Sequence, residues 1–579
     1  MKRLFALTVL LLPWLTAADQ IMLNGKHNLS VTGPGKFKAQ SEQRICVFCH
    51  VPHHGDHGNN RPSPAPASQR APGAIRRADD PRASPPGGSS RLCLSCHDGT
   101  IAVGQTLAAG NIAMRGSPDG KIGAGSSRLD DLSSSHPVSF HLNASAKEHA
   151  PLPGDRVQLD RQGQVQCTSC HDPHSESNVP GEKNFLVKSS RGSTLCDSCH
   201  QLPYWRSTPA AHQASFASLV AAPTSLGLTG YNNVGEAACA ACHQPHGAGG
   251  ARLVRNERGT NEDRLCLQCH NGRVASTDLL SEMSRPYAHT LMNSGPSGHD
   301  EDEGPLVPGR SLPEISAGTL RHVACVDCHN PHAAYRQSTS APRAAGSLLG
   351  AWGIDRHGVR VDPVNFEYEI CFKCHGDSAN QPQSRGPTPP ETTRRAVTEV
   401  NLRRVFDLSS PSFHPVEGPG RGGSVPSLIP PMSAGSIIYC GDCHGSGVRG
   451  GVRGPHGSNY PHLLAGNYST LDRTPESPAA YALCYGCHSR DVLLSSRSSF
   501  PAHRAHVVGQ ATPCSVCHNA HGISAAIGTP TGNAHLIDFD VSVVQPSRSG
   551  QRRYRSGGAM SGSCTLACHG SQHENRSYP

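Results

Sequence analysis

What this chain has little of is the material of a protein core. Only 36% of its 579 residues are hydrophobic and 5% aromatic, whereas Gly (61) and Pro (47) are abundant. By packing alone such a composition leans towards loops. Beyond the first residues no segment is apolar enough to span a bilayer. Methionine is scarce, with 7 in all, and no cysteine stands outside a repeated motif. That last absence removes the free catalytic thiol, and it argues against a lipid-anchored cysteine near residue 18.

The 24 cysteines fall into twelve pairs, each followed at once by His. They are Cys46/Cys49/His50, Cys93/Cys96/His97, Cys167/Cys170/His171, Cys196/Cys199/His200, Cys239/Cys242/His243 and Cys266/Cys269/His270 in the first half. Cys325/Cys328/His329, Cys371/Cys374/His375, Cys440/Cys443/His444, Cys484/Cys487/His488, Cys514/Cys517/His518 and Cys564/Cys568/His569 follow. Eleven read C-x-x-C-H and the last C-x-x-x-C-H, where an extra residue must bulge between the cysteines. A lone C-x-x-C is more often a zinc half-site or a redox dithiol, and an even cysteine count in an exported chain usually means disulfides. Neither accounts for an adjacent His in every pair. Covalent haem c does: two thiols add to the porphyrin vinyl groups and the next His binds iron from the proximal face. Twelve motifs imply twelve haems, whose apolar macrocycles supply the missing core.

Lys2 and Arg3, an apolar stretch from Leu4 to Leu15, and Thr16-Ala17-Ala18 fit a secretory signal over 1–18. Pro13 interrupts the stretch, so a retained membrane helix is disfavoured. Export to the periplasm suits c-type haem attachment, and the mature chain should have no transmembrane segment. The formal charge of +8 does not argue for nucleic acid. With haem propionates and irons included, the balance becomes roughly −6 oxidised and −18 reduced, and the basic residues read as propionate partners.

The motifs alternate. The first, third, fifth, seventh and eleventh carry a second His three residues on: His53, His174, His246, His332 and His521. Four of these stand in H-x-P-H, where proline stiffens the turn. After the ninth motif, His456 follows twelve residues later in Pro455-His456-Gly457. Another His precedes each motif pair: His27, His136, His212, His289, His414, and either His503 or His506. These twelve positions are the candidate distal ligands. His54 and His57 rival His53, and His141, His299, His322 and His535 compete with the upstream group. Too few methionines exist to be the general sixth ligand, so bis-histidine ligation is expected, with low potentials.

Six two-haem modules result: 19–110 (with a Pro-rich loop at 55–91), 111–207, 208–280, 281–400, 401–490 and 491–579. Stretches 294–321 and 376–400 read as further linkers. The expected fold is mostly irregular with short α-helices and little sheet, an extended multihaem array of six repeats with a core made of haem.

Ile45-Cys46-Val47-Phe48-Cys49-His50-Val51-Pro52-His53, His136-Pro137-Val138-Ser139-Phe140 and Cys514-Ser515-Val516-Cys517-His518-Asn519-Ala520-His521-Gly522 resemble the doubled-CxxCH family of multihaem c-type cytochromes. The resemblance implies closely paired bis-His haems in bacteria that move respiratory electrons through the periplasm. It also implies partners: periplasmic donor cytochromes, an outer-membrane porin and a surface multihaem cytochrome. The leading expectation is therefore electron relay, without enzymatic bond chemistry. A reductase of small oxyanions would need one haem with an open distal face. A filament subunit would need a distal His, such as His27, donated across a subunit boundary.

Overall fold

The computed structural model describes residues 23–50, 85–107, 109–123, 128–129, 131–143, 147–175, 184–206, 212–255, 262–289, 323–378, 393–421 and 424–579. The signal segment, His53 with its rivals His54 and His57, most of the 55–91 loop, His299, His322 and the 294–321 linker lie outside the described residues.

The chain is mostly irregular, with short helices and small sheets. It divides into two compact units, residues 1–203 with 224–259 and residues 204–223 with 260–579. The longest helices carry haem-binding motifs: α1 (Gly88–His97) holds Cys93, Cys96 and His97, and α2 (Glu367–His375) holds Cys371, Cys374 and His375. At α2 the Glu369 carboxylate accepts the Asn365 and Phe366 N–H groups (2.7 and 3.0 Å), satisfying donors that a helix start leaves bare. Elsewhere the motif is one helical turn, as at Cys167–Cys170, Cys239–Cys242, Cys325–Cys328 and Cys440–Cys443. The residue before the second cysteine caps three of these turns. Asp327 accepts from Ala324 N (2.6 Å), Asp442 from Tyr439 N (2.9 Å) and Ser169 Oγ from Gln166 N (3.0 Å). The turn ending at Cys242 has Ala241 at that position, which has no side-chain acceptor, and it starts from a strained Ala238 (φ +45°) instead.

The apolar clusters are small, and haem-binding cysteines stand at their edges. In the first unit Ala39, Val47, Phe48, Val103 and Ile112 pack against Cys49 and Cys96. In the second, Ile354, Tyr368, Phe372, Phe406, Phe413 and Val416 pack against Cys440. A third cluster of Val516, Val544 and Leu566 touches Cys517, Cys564 and Cys568.

The exception to the loop-rich texture is the C-terminus, where more sheet forms than the composition suggested. Strands β1 (Val544–Gln545), β2 (Arg553–Gly558), β3 (Ser561–Cys568) and β4 (Ser571–Tyr578) make one antiparallel sheet, with β3 paired to the other three. Alternation explains it: Tyr554 and Leu566 are buried on its strands, and tight turns join β2, β3 and β4. Among the described residues no helix is long and apolar enough to cross a membrane.

Candidate haem sites

The histidines meet in pairs with a nearly constant gap. Ring centroids are 6.1 Å apart for His50–His174, His171–His246, His27–His97, His212–His270 and His329–His456. They are 6.2 Å apart for His136–His200, 5.9 Å for His444–His521 and 6.4 Å for His503–His518. Van der Waals contact would bring such rings closer. An iron bound on both sides through nitrogen, at the roughly 2 Å usual for a first-row metal, needs a gap of about this size. His289 acts electrostatically on His375, and His414 on His488. Among the described residues no three of His, Cys, Asp and Glu converge as ligands of a bare ion. Paired imidazoles beside paired thiols therefore fit haem better than zinc.

The pairs reach from one motif pair to the next. His174, which follows the third motif, faces His50 of the first; His246 faces His171, His456 faces His329, and His521 faces His444. The rings of these pairs are within 11–31° of parallel. Pairs formed by the upstream histidines with even-numbered motifs are crossed, at 90° for His27–His97, 80° for His136–His200 and 89° for His212–His270.

Many of these imidazoles are oriented through Nδ1, leaving Nε2 for iron, the usual arrangement around a ligating His; Nδ1 of His270 and of His456 is buried without such a partner. His171, His243, His329, His444 and His518 direct Nδ1 to the carbonyls of Asn184, Arg252, Ser347, His462 and His535, at 2.7–3.0 Å. Four of those five carbonyls begin a pair of left-handed residues: Asn184-Phe185, Arg252-Leu253, His462-Leu463 and His535-Leu536 all have positive φ. Non-Gly residues in that region cost about 1–3 kcal/mol each, so the carbonyl placement is held against strain. The second cysteine of the motif ties the same segment down. The carbonyls of Cys170, Cys242, Cys443 and Cys517 accept the N–H groups of Val187, Arg255, Ala465 and Asp538 (3.0, 2.8, 2.8 and 2.9 Å). Each of those donors stands two residues past its left-handed pair. Sequence reading missed this element. Its signal was present as Phe or Leu before Leu, Val or Ile downstream of each of these motifs. It also settles His535, which contributes its carbonyl to the His518 site.

The upstream histidines use the turns that present the second His. His27, His212 and His289 point Nδ1 at the carbonyls of Pro173 (3.3 Å), Pro331 (3.0 Å) and Pro455 (2.8 Å), and His414 does the same to Ala520. His136 reaches Pro245 through its backbone N–H (2.7 Å). In every case the acceptor immediately precedes the second His of the next module. One turn thus presents one imidazole and orients another. His488 and His503 rely on hydroxyls instead, Ser427 (2.9 Å) and Ser498 (2.7 Å). Of the remaining candidates, His332 lies 6.1 Å from Trp205.

Burial holds these groups neutral, joined by the facing imidazole at His246, His456, His488, His503 and His521 and by the Arg395 guanidinium at His518. His246, His456, His488 and His518 are pushed down to about 4, and His503 and His521 to about 3. Only neutral imidazole has a lone pair for iron. In the second unit the sites open into one cavity of about 2780 Å³, lined by His270, His329, His375, His444, His488 and His518 with their motif cysteines other than Cys269. A pocket for one small molecule is about 300–1,000 Å³, so this space is of the size for several large groups.

Consecutive sites touch through cysteine. Side-chain contacts join Cys93 to Cys167 and Cys196 to Cys239 in the first unit. In the second they join Cys266 to Cys325, Cys371 to Cys440 and Cys484 to Cys514. These are the first cysteines of their motifs. Second cysteines interact electrostatically in the alternate steps: Cys49 with Cys96, Cys170 with Cys199, Cys443 with Cys487 and Cys517 with Cys568. The Cys242 thiol acts on the Arg255 guanidinium, whose Nε–H donates to the Ala240 carbonyl (2.7 Å) within the same motif. Within each unit, spatial order follows chain order.

The doubled CXXCH motif family matches residues 161–202, 232–275 and 430–493. Multiheme cytochrome MtrA of Shewanella baltica (strain OS185) is 24% identical over 230 residues, 38% of this chain and 44% of the relative. The chain thus aligns with less than half the length of that curated relative. Paired motifs, their match to the family and paired imidazoles agree: the chain is a doubled-CXXCH multihaem c-type cytochrome with covalently bound haem c.

Proposed function

We propose that this protein is a dodecahaem electron relay of the periplasm, passing electrons along its haems to or within an outer-membrane conduit. The observation that carries this reading is the set of imidazole pairs, 5.9–6.4 Å apart, in which both faces of the intervening space are closed by nitrogen. Haem c supplies one-electron transfer when bound. The chain's residues do the rest. Cysteines anchor each macrocycle, the C-x-x-C-H histidines serve as proximal ligands, and the facing histidines serve as distal ligands. Carbonyls and hydroxyls fix ring orientation, and cysteine contacts keep successive sites adjacent. Between these pairs no axial position is left for a substrate, which favours relay over reduction of an oxyanion. His27 faces His97 of its own chain, so a donated ligand is not required there, as a filament subunit would want.

The likeness to an MtrA cytochrome supports the conduit role, with a periplasmic donor, a porin and a surface cytochrome as partners. The test is EPR of the oxidised holoprotein with haem counted by pyridine haemochrome. Twelve low-spin bis-His haems are expected. A stoichiometric high-spin signal that nitrite shifts would overturn the relay in favour of a reductase. Affinity capture from solubilised outer membranes should recover a porin; its absence would place the relay upstream of the membrane.

A further inference from the structure

The C-x-x-x-C-H motif is put to a different use from the other eleven. Its His569 is a turn residue. With Gly570 it joins β3 to β4, and their φ values of +49° and +80° are those of a two-residue type I′ hairpin. Across that turn Cys568 pairs with Ser571. On β3, Cys564, Leu566 and Cys568 alternate onto one face. A strand therefore accommodates two cysteines four apart without the bulge between them that a helical turn would need.

Residues opposed across antiparallel strands also share a face, and the residue opposite Leu566 is His573. A bulge in β4 at Asn575 (φ +51°), tied by its N–H to Thr565 Oγ1 (3.2 Å), leaves Arg576 opposite Cys564. His573 thus rises between the two thiols from the neighbouring strand. Its ring centroid stands 6.2 Å from that of His506, with planes 29° apart, matching the other pairs. His506 has Nδ1 directed to the Ala502 carbonyl (2.8 Å), as His171 and His444 direct theirs to carbonyls. Cys564, Cys568, His573 and His506 all line the cavity of the second unit. His569 does not. Its Nε2 lies 3.0 Å from both carboxylate oxygens of Asp472, and its Nδ1 is 3.5 Å from Thr512 Oγ1. The nitrogen that would meet iron is already engaged.

We infer that the haem attached at Cys564 and Cys568 takes His573 and His506 as its two axial ligands, and that His569 is a positioning residue clamping the hairpin turn to Asp472. This rests on reading the last motif as a twelfth attachment site. It assigns His503 and His506 to two different irons, so the two do not compete.

The test uses full-length holoprotein with His573→Met and, separately, His569→Gln, each with its haem number fixed by intact mass. His573→Met should keep twelve haems and convert one bis-His iron. That iron becomes either His/Met, with the red charge-transfer absorption of a methionine–ferric bond, or high-spin if the sulfur does not reach. His569→Gln should leave the ligation spectra unchanged. Unchanged spectra in His573→Met, or loss of one low-spin iron in His569→Gln alone, would overturn the assignment. A native mass showing eleven haems would instead overturn the twelfth attachment itself, so the two failures are distinguishable.

Discussion

The first five modules and the sixth solve the same ligand problem with different mechanics. In the first five, the upstream histidine reaches forward to the turn of the next module, as His27 does to Pro173 and His289 to Pro455. In the sixth, His503 and His506 turn instead to their own helix neighbourhood, Ser498 and the Ala502 carbonyl, and His506 stands against His573 of the C-terminal β-sheet.

Removing haem should expose this difference most strongly. The loop-rich modules have small apolar clusters and depend on cofactor for their core, as metal-dependent domains do. A chain prepared with its motif cysteines replaced should lose cooperative thermal unfolding. In hydrogen exchange, the amides of β2 to β4 should be the last to exchange; uniform exchange would remove the distinction.

Next in size is the reach of one substitution. His174→Ala removes the imidazole facing His50 and loosens the turn whose Pro173 carbonyl orients His27. It should produce one high-spin iron and shift the low-spin signal of a second. His503→Ala, in the last module, should alter a single iron. EPR of both variants checks this, and equal disturbance in both would break the idea of interlocking.

A smaller effect follows from ring angle. Parallel imidazoles donate π density to one iron d orbital and crossed ones to two, so their EPR anisotropies differ. The oxidised protein should show a crossed class from the His97, His200 and His270 sites and a near-parallel class that includes the last module. His212→Ala should deplete the crossed class alone.

The smallest effect is expected from Ser498→Ala, which deletes the hydroxyl orienting His503. Loss of such a partner typically weakens ligation roughly 10–100-fold. Cyanide should then replace His503 faster at that one iron, measured by stopped flow. No comparable substitution exists for His171, whose partner is the Asn184 main chain.

Attachment chemistry was legible because it is local. Cys, Cys and His within five or six residues can be read without knowing the fold, and so can H-x-P-H. The abundance of Gly and Pro and the scarcity of apolar residues likewise pointed to short helices and irregular connections. The C-terminal sheet was less visible, since three Cys–His positions drew the reading towards the repeat and away from the strand alternation around Leu566. His573 was missed for the same reason.

The sequence by itself determined the cofactor and its anchors, since thioether reach and proximal ligation depend on spacing along one short segment. Tertiary structure alone decided which imidazoles face each other, because those partners lie up to about a hundred residues or more apart, as with His329 and His456. It also decided ring angle, the left-handed pairs that place carbonyls behind the proximal histidines, and the succession of cysteine contacts from site to site. Those are set by which backbones pack together, and no spacing within a motif encodes that.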